Sequence, residues 1–582
     1  MRSIFNACLF LVLFTACNTD TETTAPPAYQ EMSNPKPTDK TAWEKVARGV
    51  SASFASADVR YKKEAVPENL SNDPWKARGW KGEKIHTKIL LWTTDSVDAV
   101  SFDKGDLKNK DGKSIPAENI SVDFIRYVMT DSIGRNGSGC GIPSDLDSSL
   151  AEDAIDNVSS LALAANTAQP AWLSIRIPAD ASAGIYNGTI GVNGADKKLA
   201  LNYSIEVLDR TLPTPGDWSF HLDLWQNPFS VARMHNVQDW SDEHMNVMKP
   251  YMQMLADAGQ KVITTSIIHD PWNSQTFDVY KSMVKWVKKK DGTWSYDYSI
   301  FDKWVSYMMS LGIDKEINCY SLIPWNLKFY YYDETIGKDT LIIATPGTEA
   351  YANHWKPMLA DFANHLKQKG WFEKTTIAMD ERPMEHMRLA LAIIRDADKD
   401  FKVSMAGNYH VEIERDLYDY CVASQFILPD SIMERRKKTG FKTTFYTACP
   451  EEYPNVFTFS PPAEGAFMGW YAAAKGFDGY LRWAYNSWPE KPLQDSRFGH
   501  WSAGDTYFVY PDGRTSVRFE RLIEGIQAFE KIRILIEEFK SENQPDKLQK
   551  LRDTLASFDI PGTKQKGAAA VVNAATEVLN SF

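Results

Sequence analysis

Two rhythms of apolar and polar residues divide the chain. From about residue 70 to 210, segments such as KIHTKILLWTT, NISVDFIRYVMT, AWLSIRIPA, GIYNGTIGVNG and KLALNYSIEVLD alternate apolar and polar positions, separated by clusters of Asp, Asn, Gly and Pro. A period of two belongs to strands with one buried face, and a series of them predicts a β-sandwich. RTLPTPGDW, with two prolines and a glycine, reads as a linker. Beyond it, short apolar runs alternate with helical periodicity. WSFHLDLW, KVITTSIIHDPW, EINCYSLIPW, TTIAMDERP, FKVSMAGNY, DYCVASQF, KTTFYTACP and GYLRWAYNSW are eight candidate strands, each with a helical or loop partner. The series closes on the long helix SVRFERLIEGIQAFEKIRILIEEF. Eight such units over about 325 residues predict a (β/α)8 TIM-type barrel.

An open, doubly wound sheet is the structural alternative, and it normally carries a phosphate loop after its first strand. Neither GxGxxG nor GxxxxGK[ST] occurs, and the glycine-rich GRNGSGCG at 134–141 has the wrong spacing and reads as a loop of the β-rich region.

The N-terminus adds a location. Met1 and Arg2 precede the apolar run IFNACLFLVLFTA, too short for a mature membrane span but suited to a signal h-region. The run ends in FTAC, the pattern of a bacterial lipoprotein signal cleaved before Cys17, whose thiol is then lipidated. An ordinary cleaved signal peptide is the plainer alternative. The Thr-, Pro- and charge-rich stretch that follows reads as a disordered tether. The expected organisation is therefore signal and lipidation cysteine over residues 1–17, tether over 18–45, β-sandwich over 46–212, barrel over 213–540 and a short helical C-terminal appendage over 541–582. Cys140, Cys319, Cys421 and Cys449 are widely spaced with no CxxC, so buried free thiols are expected. A net charge of -11 with scattered Lys and Arg argues against nucleic acid as a partner. The ten His show no ligand spacing, and neither HExxH nor GxSxG occurs. No metal and no cofactor are implied.

In a barrel, active groups come from the C-terminal ends of strands. Asp–Glu occurs three times, and only Asp380–Glu381 directly follows an apolar strand, TTIAM, with Pro383 ending the run. Asp242–Glu243 sits at a helix start, and Asp333–Glu334 lies in the polar stretch YYDETIGK. The structural alternative for Asp380–Glu381 is an ion pair with Arg382 or a cap for the following helix. Most glycosidases place two carboxylates on either side of the scissile bond. Adjacent residues on one strand suit another division: Glu381 protonates the leaving oxygen, while Asp380 holds the substrate's own 2-acetamido group, whose carbonyl oxygen attacks the anomeric carbon. An ionised Asp380 suits its neighbour to carry the proton and stabilises positive charge on the acetamido nitrogen. Trp225, Trp272, Trp325, Trp483 and Trp488 end or follow barrel strands and are candidate sugar-stacking walls. Core packing is the alternative for each. Tyr446 is a candidate donor to the acetamido oxygen, and Asn408 and Asn486 are candidate partners for sugar hydroxyls. Asp223 and His269 are weaker candidates.

TTIAMDERP, GYLRWAYNSW, GDTYFVYPDG and SVRFERLIEGI together resemble family 123 of the glycoside hydrolases, over about residues 70 to 540. The resemblance implies a β-sandwich ahead of a (β/α)8 barrel and β-N-acetylgalactosaminidase activity. It makes Asp380 the residue that polarises the acetamido group and Glu381 the acid/base. It implies terminal β-linked GalNAc on an oligosaccharide or glycosphingolipid glycan as substrate. Two alternatives stay open: an exo-β-N-acetylglucosaminidase of the same mechanism, and a lipid-anchored glycan-binding protein without catalysis.

Overall fold

The apolar alternation of residues 46–212 resolves into two sheets. In a computed structural model, residues 29–582 are described except 37, 69, 71–72, 133–139, 142–146 and 195–197. The expected signal, Cys17 and the first part of the tether lie outside the described residues. One sheet has five strands in the spatial order Val50–Ala55, Lys84–Thr93, Thr167–Arg176, Ile120–Thr130 and Ser149–Asp156. The other is seven-stranded and centres on Leu199–Thr211 and Gly184–Asn193. Ile89, Leu91, Leu173 and Ile175 of the first share a buried cluster with Val100, Ile190, Val192 and Ile205 of the second. The five-stranded sheet is buried on its other face too. There Trp172, Ile125 and Ile155 pack with Val517, the first residue of the long helix Val517–Ser541. That second burial explains why Thr167–Arg176 is buried at all but its last position.

The eight expected strands form one parallel sheet. In chain order they are His221–Leu224, Val262–Ser266, Glu316–Tyr320, Thr375–Asp380, Lys402–Gly407, Asp419–Ala423, Lys442–Tyr446 and Gly479–Arg482. Each of strands two to seven pairs with its successor, and the eighth returns to pair with the first. Gly479 permits that return, because a Cβ there would lie 2.0 Å from the His221 carbonyl oxygen. Strands one and two form no ladder: a bridge between Leu222 and Gln260 joins their backbones, and the Gln226 amide oxygen accepts from Thr264 N at 2.9 Å, so the barrel is nearly closed. Helices follow the strands except after the fifth, where the turn Glu414–Asp416 takes the place of one. The connections after strands two and three also carry a sheet of four short strands: Lys285–Lys288, Trp294–Asp297, Lys328–Asp333 and Lys338–Ile343.

The chain ends in helices Pro545–Leu555, Ile560–Lys566 and Ala568–Leu579. They pack on the barrel through contacts such as the stacked rings of Trp470 and Phe558, 5.0 Å apart. The long helix joins the two halves through buried charge. Asp153 of the N-terminal domain accepts from Arg518 Nε and Tyr510 Oη, both at 2.8 Å, and Lys531 reaches Glu83 at 2.8 Å.

Two expectations change here. Residues from Tyr29 on are not a free tether: Tyr29 Oη donates to the Tyr127 carbonyl at 2.6 Å and Trp43 is buried with its indole N–H on the Glu64 carbonyl. Two aromatic anchors in a polar segment supply apolar burial that its overall composition hides. Cys140 and Cys449 are not free thiols but a disulfide, joining the N-terminal domain to the loop after the seventh barrel strand, while Cys319 and Cys421 are buried and free. No described helix is long and apolar enough to cross a membrane.

Candidate active site

The fourth barrel strand is buried along its whole length and ends at Asp380. Its successor Glu381 lies beyond the last ladder pair, Asp380 with Ala406 of the fifth strand. Freed from the pleat, the two side chains diverge towards opposite neighbours. Asp380 turns to the third strand, where Ser321 Oγ donates to Oδ2 at 2.6 Å. Glu381 turns to the fifth, where Asn408 donates from its backbone N to Oε2 at 3.1 Å and from Nδ2 to Oε1 at 2.8 Å. His410 Nε2 lies 2.8 Å from the same Oε1. Gly407 makes this seat possible: a Cβ there would stand 2.8 Å from Glu381 Oε2.

The environments differ in kind. Asp380 is buried, and burial pushes its carboxyl from 3.8 up to about 6. The Ser321 hydrogen bond, the positive charge of Arg382 and the indole N–H groups of Trp272 and Trp325 oppose that rise. The N–H of Trp272 falls short of a full hydrogen bond. Among the described residues, no Lys, Arg or His stands within ion-pair distance of Asp380. Arg382 instead lies over the Trp325 ring, 4.1 Å from its centre, and donates to the Glu381 carbonyl at 2.9 Å. The alternative of a simple Asp380–Arg382 ion pair is therefore not what forms. Glu381 keeps 29% of its side chain exposed, which leaves it open to the mouth.

Aromatic rings cluster next to Asp380, and two of them, Trp225 and Trp272, are buried at 6% exposure each. Trp225 and Trp272 stack at 4.8 Å, and both lean on Tyr320 at 4.5 and 5.0 Å. Tyr446 and Trp483 pack against the same cluster with part of their surface free. Burial pushes the Tyr446 phenol up, and the charges of Glu451 and Glu381 add to it, so the hydroxyl is a donor at any working pH. Trp483 donates from Nε1 to Asp505 at 3.3 Å, and Asp505 is held by Arg482 at 2.5 Å. Trp325 is 52% exposed.

Several sequence candidates lie elsewhere. Asn486 is fully buried, and its amide is spent on Asn227, accepting from the backbone N at 2.8 Å and donating to the carbonyl at 2.9 Å. It ties the end of the eighth strand to that of the first and has nothing left for a sugar. Trp488 is likewise buried, with its indole N–H on the Val509 carbonyl. Asn408 is at the mouth, but its donors hold Glu381 rather than face open space. Asp223 lies inside the barrel, bonded to Trp225 Nε1 at 3.3 Å, where burial and then Asp419 push it up to about 7. His269 rests edge-on against Tyr330, 5.0 Å away. Sequence reading missed Ser321 and His410. Both obey the strand-end rule that singled out Asp380: Ser321 directly follows the third strand and His410 lies three residues past the fifth. Neither stands in a recognisable pair, so nothing raised it above other polar residues.

Comparison with known proteins identifies the family. The glycoside hydrolase 123 catalytic domain matches residues 225–535 and the glycoside hydrolase 123 N-terminal domain matches residues 54–194. The chain is a member of glycoside hydrolase family 123, and it is an enzyme of the glycosidase class. A family 123 glycoside hydrolase from Clostridium perfringens, described for glycolipid glycan hydrolysis, superposes with a TM-score of 0.83 at 29% identity, covering 92% of this chain and 98% of that one. A β-glucuronidase from Bacteroides uniformis gives a TM-score of 0.29 at 10% identity, covering 78% and 50%. A GH20 exo-β-N-acetylglucosaminidase from Vibrio harveyi gives 0.20 at 8%, covering 72% and 86%. Likeness that low bears on nothing further. Among curated protein sequences none matches.

Proposed function

We propose that the chain is a retaining exo-β-N-acetylgalactosaminidase that uses the substrate's acetamido group as nucleophile, and that it works on terminal β-GalNAc of oligosaccharides or glycolipid glycans. The reading rests on one observation. A buried carboxylate held only by neutral donors sits beside a partly exposed one that faces another way. Asp380, ionised above about pH 6, is suited to the acetamido N–H and to the positive charge that develops there. The acetamido oxygen bonds to the anomeric carbon as the glycosidic bond breaks, and Glu381 delivers its proton to the leaving oxygen. In the second step Glu381 takes a proton from water, the water oxygen bonds to the anomeric carbon, and the oxazolinium ring reopens. Tyr446, whose hydroxyl keeps its proton, is the proposed donor to the acetamido oxygen. Trp225, Trp272, Trp325 and Trp483 are the candidate stacking walls. The likeness to the Clostridium perfringens enzyme supports a glycolipid glycan as substrate. The FTAC sequence ending in Cys17 supports export and lipid anchoring.

The test is release of aglycone from aryl β-N-acetylgalactosaminide and β-N-acetylglucosaminide in parallel, with NMR of the first sugar released. Preference for GalNAc and a β-anomer product are expected. Preference for GlcNAc overturns the substrate, and an α-anomer overturns the acetamido mechanism. For the anchor, Cys17→Ala should move the protein from membrane to soluble fraction.

A further inference from the structure

The four-stranded sheet inserted after barrel strands two and three has two unlike faces. One carries Tyr330, which rests on His269 at the barrel rim. The other faces helix Glu349–Lys369 across an open cleft of about 730 Å³. The active-site residues have no part in that cleft.

Its sheet wall is aromatic. Trp294 and Tyr296 are two residues apart on one strand, so both project to the same side. Their rings lie within 7° of parallel with centres 6.4 Å apart, and Tyr331 meets Trp294 edge-on at 5.1 Å. The facing wall presents an amide and a carboxylate. Asn353, Pro357 and Asp361 recur every four residues along one exposed helix face.

The floor carries unspent polar atoms. His354 is buried, stacked on Trp286 at 4.3 Å, and neither ring nitrogen has a hydrogen-bond partner. Burial pulls the imidazole down to about 3, so it is neutral, with one donor and one acceptor. The Tyr296 hydroxyl is also buried and unpartnered. Leaving such groups unmatched is costly, and a ligand bearing hydroxyls offers them partners.

Flat rings on one side, amide and carboxylate on the other and free donors and acceptors at the base match one ligand class. A pyranose offers a C–H face for stacking and a rim of hydroxyls for hydrogen bonds. A lipid chain leaves the polar atoms unmatched. We propose that this cleft is a second saccharide-binding site, which holds a neutral oligosaccharide outside the catalytic mouth. Such a site keeps the enzyme on a surface bearing many glycans between cleavage events.

Lactose is a suitable probe, because it has the galactose apolar face and no acetamido group for the catalytic step. Saturation-transfer NMR on the full chain should show saturable binding. Trp294→Ala should weaken it about tenfold or more. Asn353→Ala, an exposed helix position where Ala is well tolerated, should weaken it severalfold without risk to the fold. Asp380→Asn should leave it unchanged. Hydrolysis of a small aryl glycoside should be unaffected by Trp294→Ala or Asn353→Ala. Lactose binding that is absent, or that survives both cleft variants, overturns the proposal, and its loss in Trp325→Ala would assign it to the catalytic mouth instead.

Discussion

The two ends of the barrel strands bury carboxylates in opposite ways. At the N-terminal end, His221, Glu316 and Asp419 form a closed group, with His221 Nε2 3.2 Å from Asp419 and 3.9 Å from Glu316. Burial works against a charged His221, but Asp419 and then Glu316 outweigh it. Burial, then Asp419, pushes Glu316 up so that it keeps its proton. His221 thus stands as a counter-charge in contact with Asp419. At the C-terminal end Asp380 accepts from the Ser321 hydroxyl, has two indole N–H groups nearby and, among the described residues, has no counter-ion in contact. A buried charge that has its counter-charge in contact is destabilising mainly when one partner is removed. A buried charge left without its partner is poised for one that arrives with the substrate.

The widest separation between the ends should come from removing the charges. Asp380→Asn should lower kcat by on the order of 10²–10³-fold with sugar and dinitrophenyl leaving groups alike. Glu381→Gln should cost about 10²–10⁴-fold with a sugar leaving group and far less with dinitrophenol, which departs unprotonated. Both variants should stay folded by circular dichroism. Asp419→Asn should behave the other way. It leaves His221 buried without its anion, which costs about 3–5 kcal/mol of stability, while the folded fraction keeps its activity. If Asp419→Asn proved as inactive per folded molecule as Asp380→Asn, the contrast between the ends would collapse.

Displacing Glu381 without altering it is the next largest effect. In Gly407→Ala the new methyl enters the space of Glu381 Oε2. A shift on the order of 1 Å is enough for up to about 10²-fold in kcat. Wild-type turnover in Gly407→Ala would mean that the resting position of Glu381 has no bearing on catalysis.

The pH profile separates the ends more finely. With dinitrophenyl substrate the proton on Glu381 matters little, so the acid limb of kcat/KM reports Asp380. Its charged form is required, and activity should fall as pH drops through about 6. Ser321→Ala removes a donor to that charge. The limb should then move up by about one pH unit. A limb that stays put in Ser321→Ala would assign it to some other group.

Much of this was readable in the chain because each barrel strand is a short apolar run ending in polar residues, and that local pattern survives without tertiary context. The inserted sheet was not readable. KWVK, WSYD, KFYYYD and KDTLII are only half buried, and their aromatic and charged residues match a loop as well as a strand. Asp380 and Glu381 were legible from position, whereas their divergence depends on which neighbouring strands offer donors. The Cys140–Cys449 pair spans 309 residues, a separation with no spacing signature. Asn486 shows the same limit: an Asn at a strand end looks alike whether it binds sugar or backbone.

The smallest effect is in stability, and its sign is the sharpest check on the comparison. Asp380 is raised from 3.8 to about 6 in the fold. A group raised in this way favours the folded state fully below about pH 3.8, and that contribution is lost as pH rises through about 6. Above that, the buried charge costs up to about 3 kcal/mol, from about 1.4 kcal/mol per pH unit between the two values. Asp380→Asn carries no such titration. Relative to wild type it should be gained stability, near zero at about pH 4 and largest at about pH 8, seen as a rise of a few degrees in the melting of the barrel. The variant that destroys activity would thus be the more stable protein, as expected where a site holds charge for its substrate at the expense of the fold. Asp419→Asn should melt lower than wild type at neutral pH. If Asp380→Asn also melted lower at about pH 8, or if its difference from wild type did not change between about pH 4 and 8, Asp380 would be an ordinary structural carboxylate like Asp419.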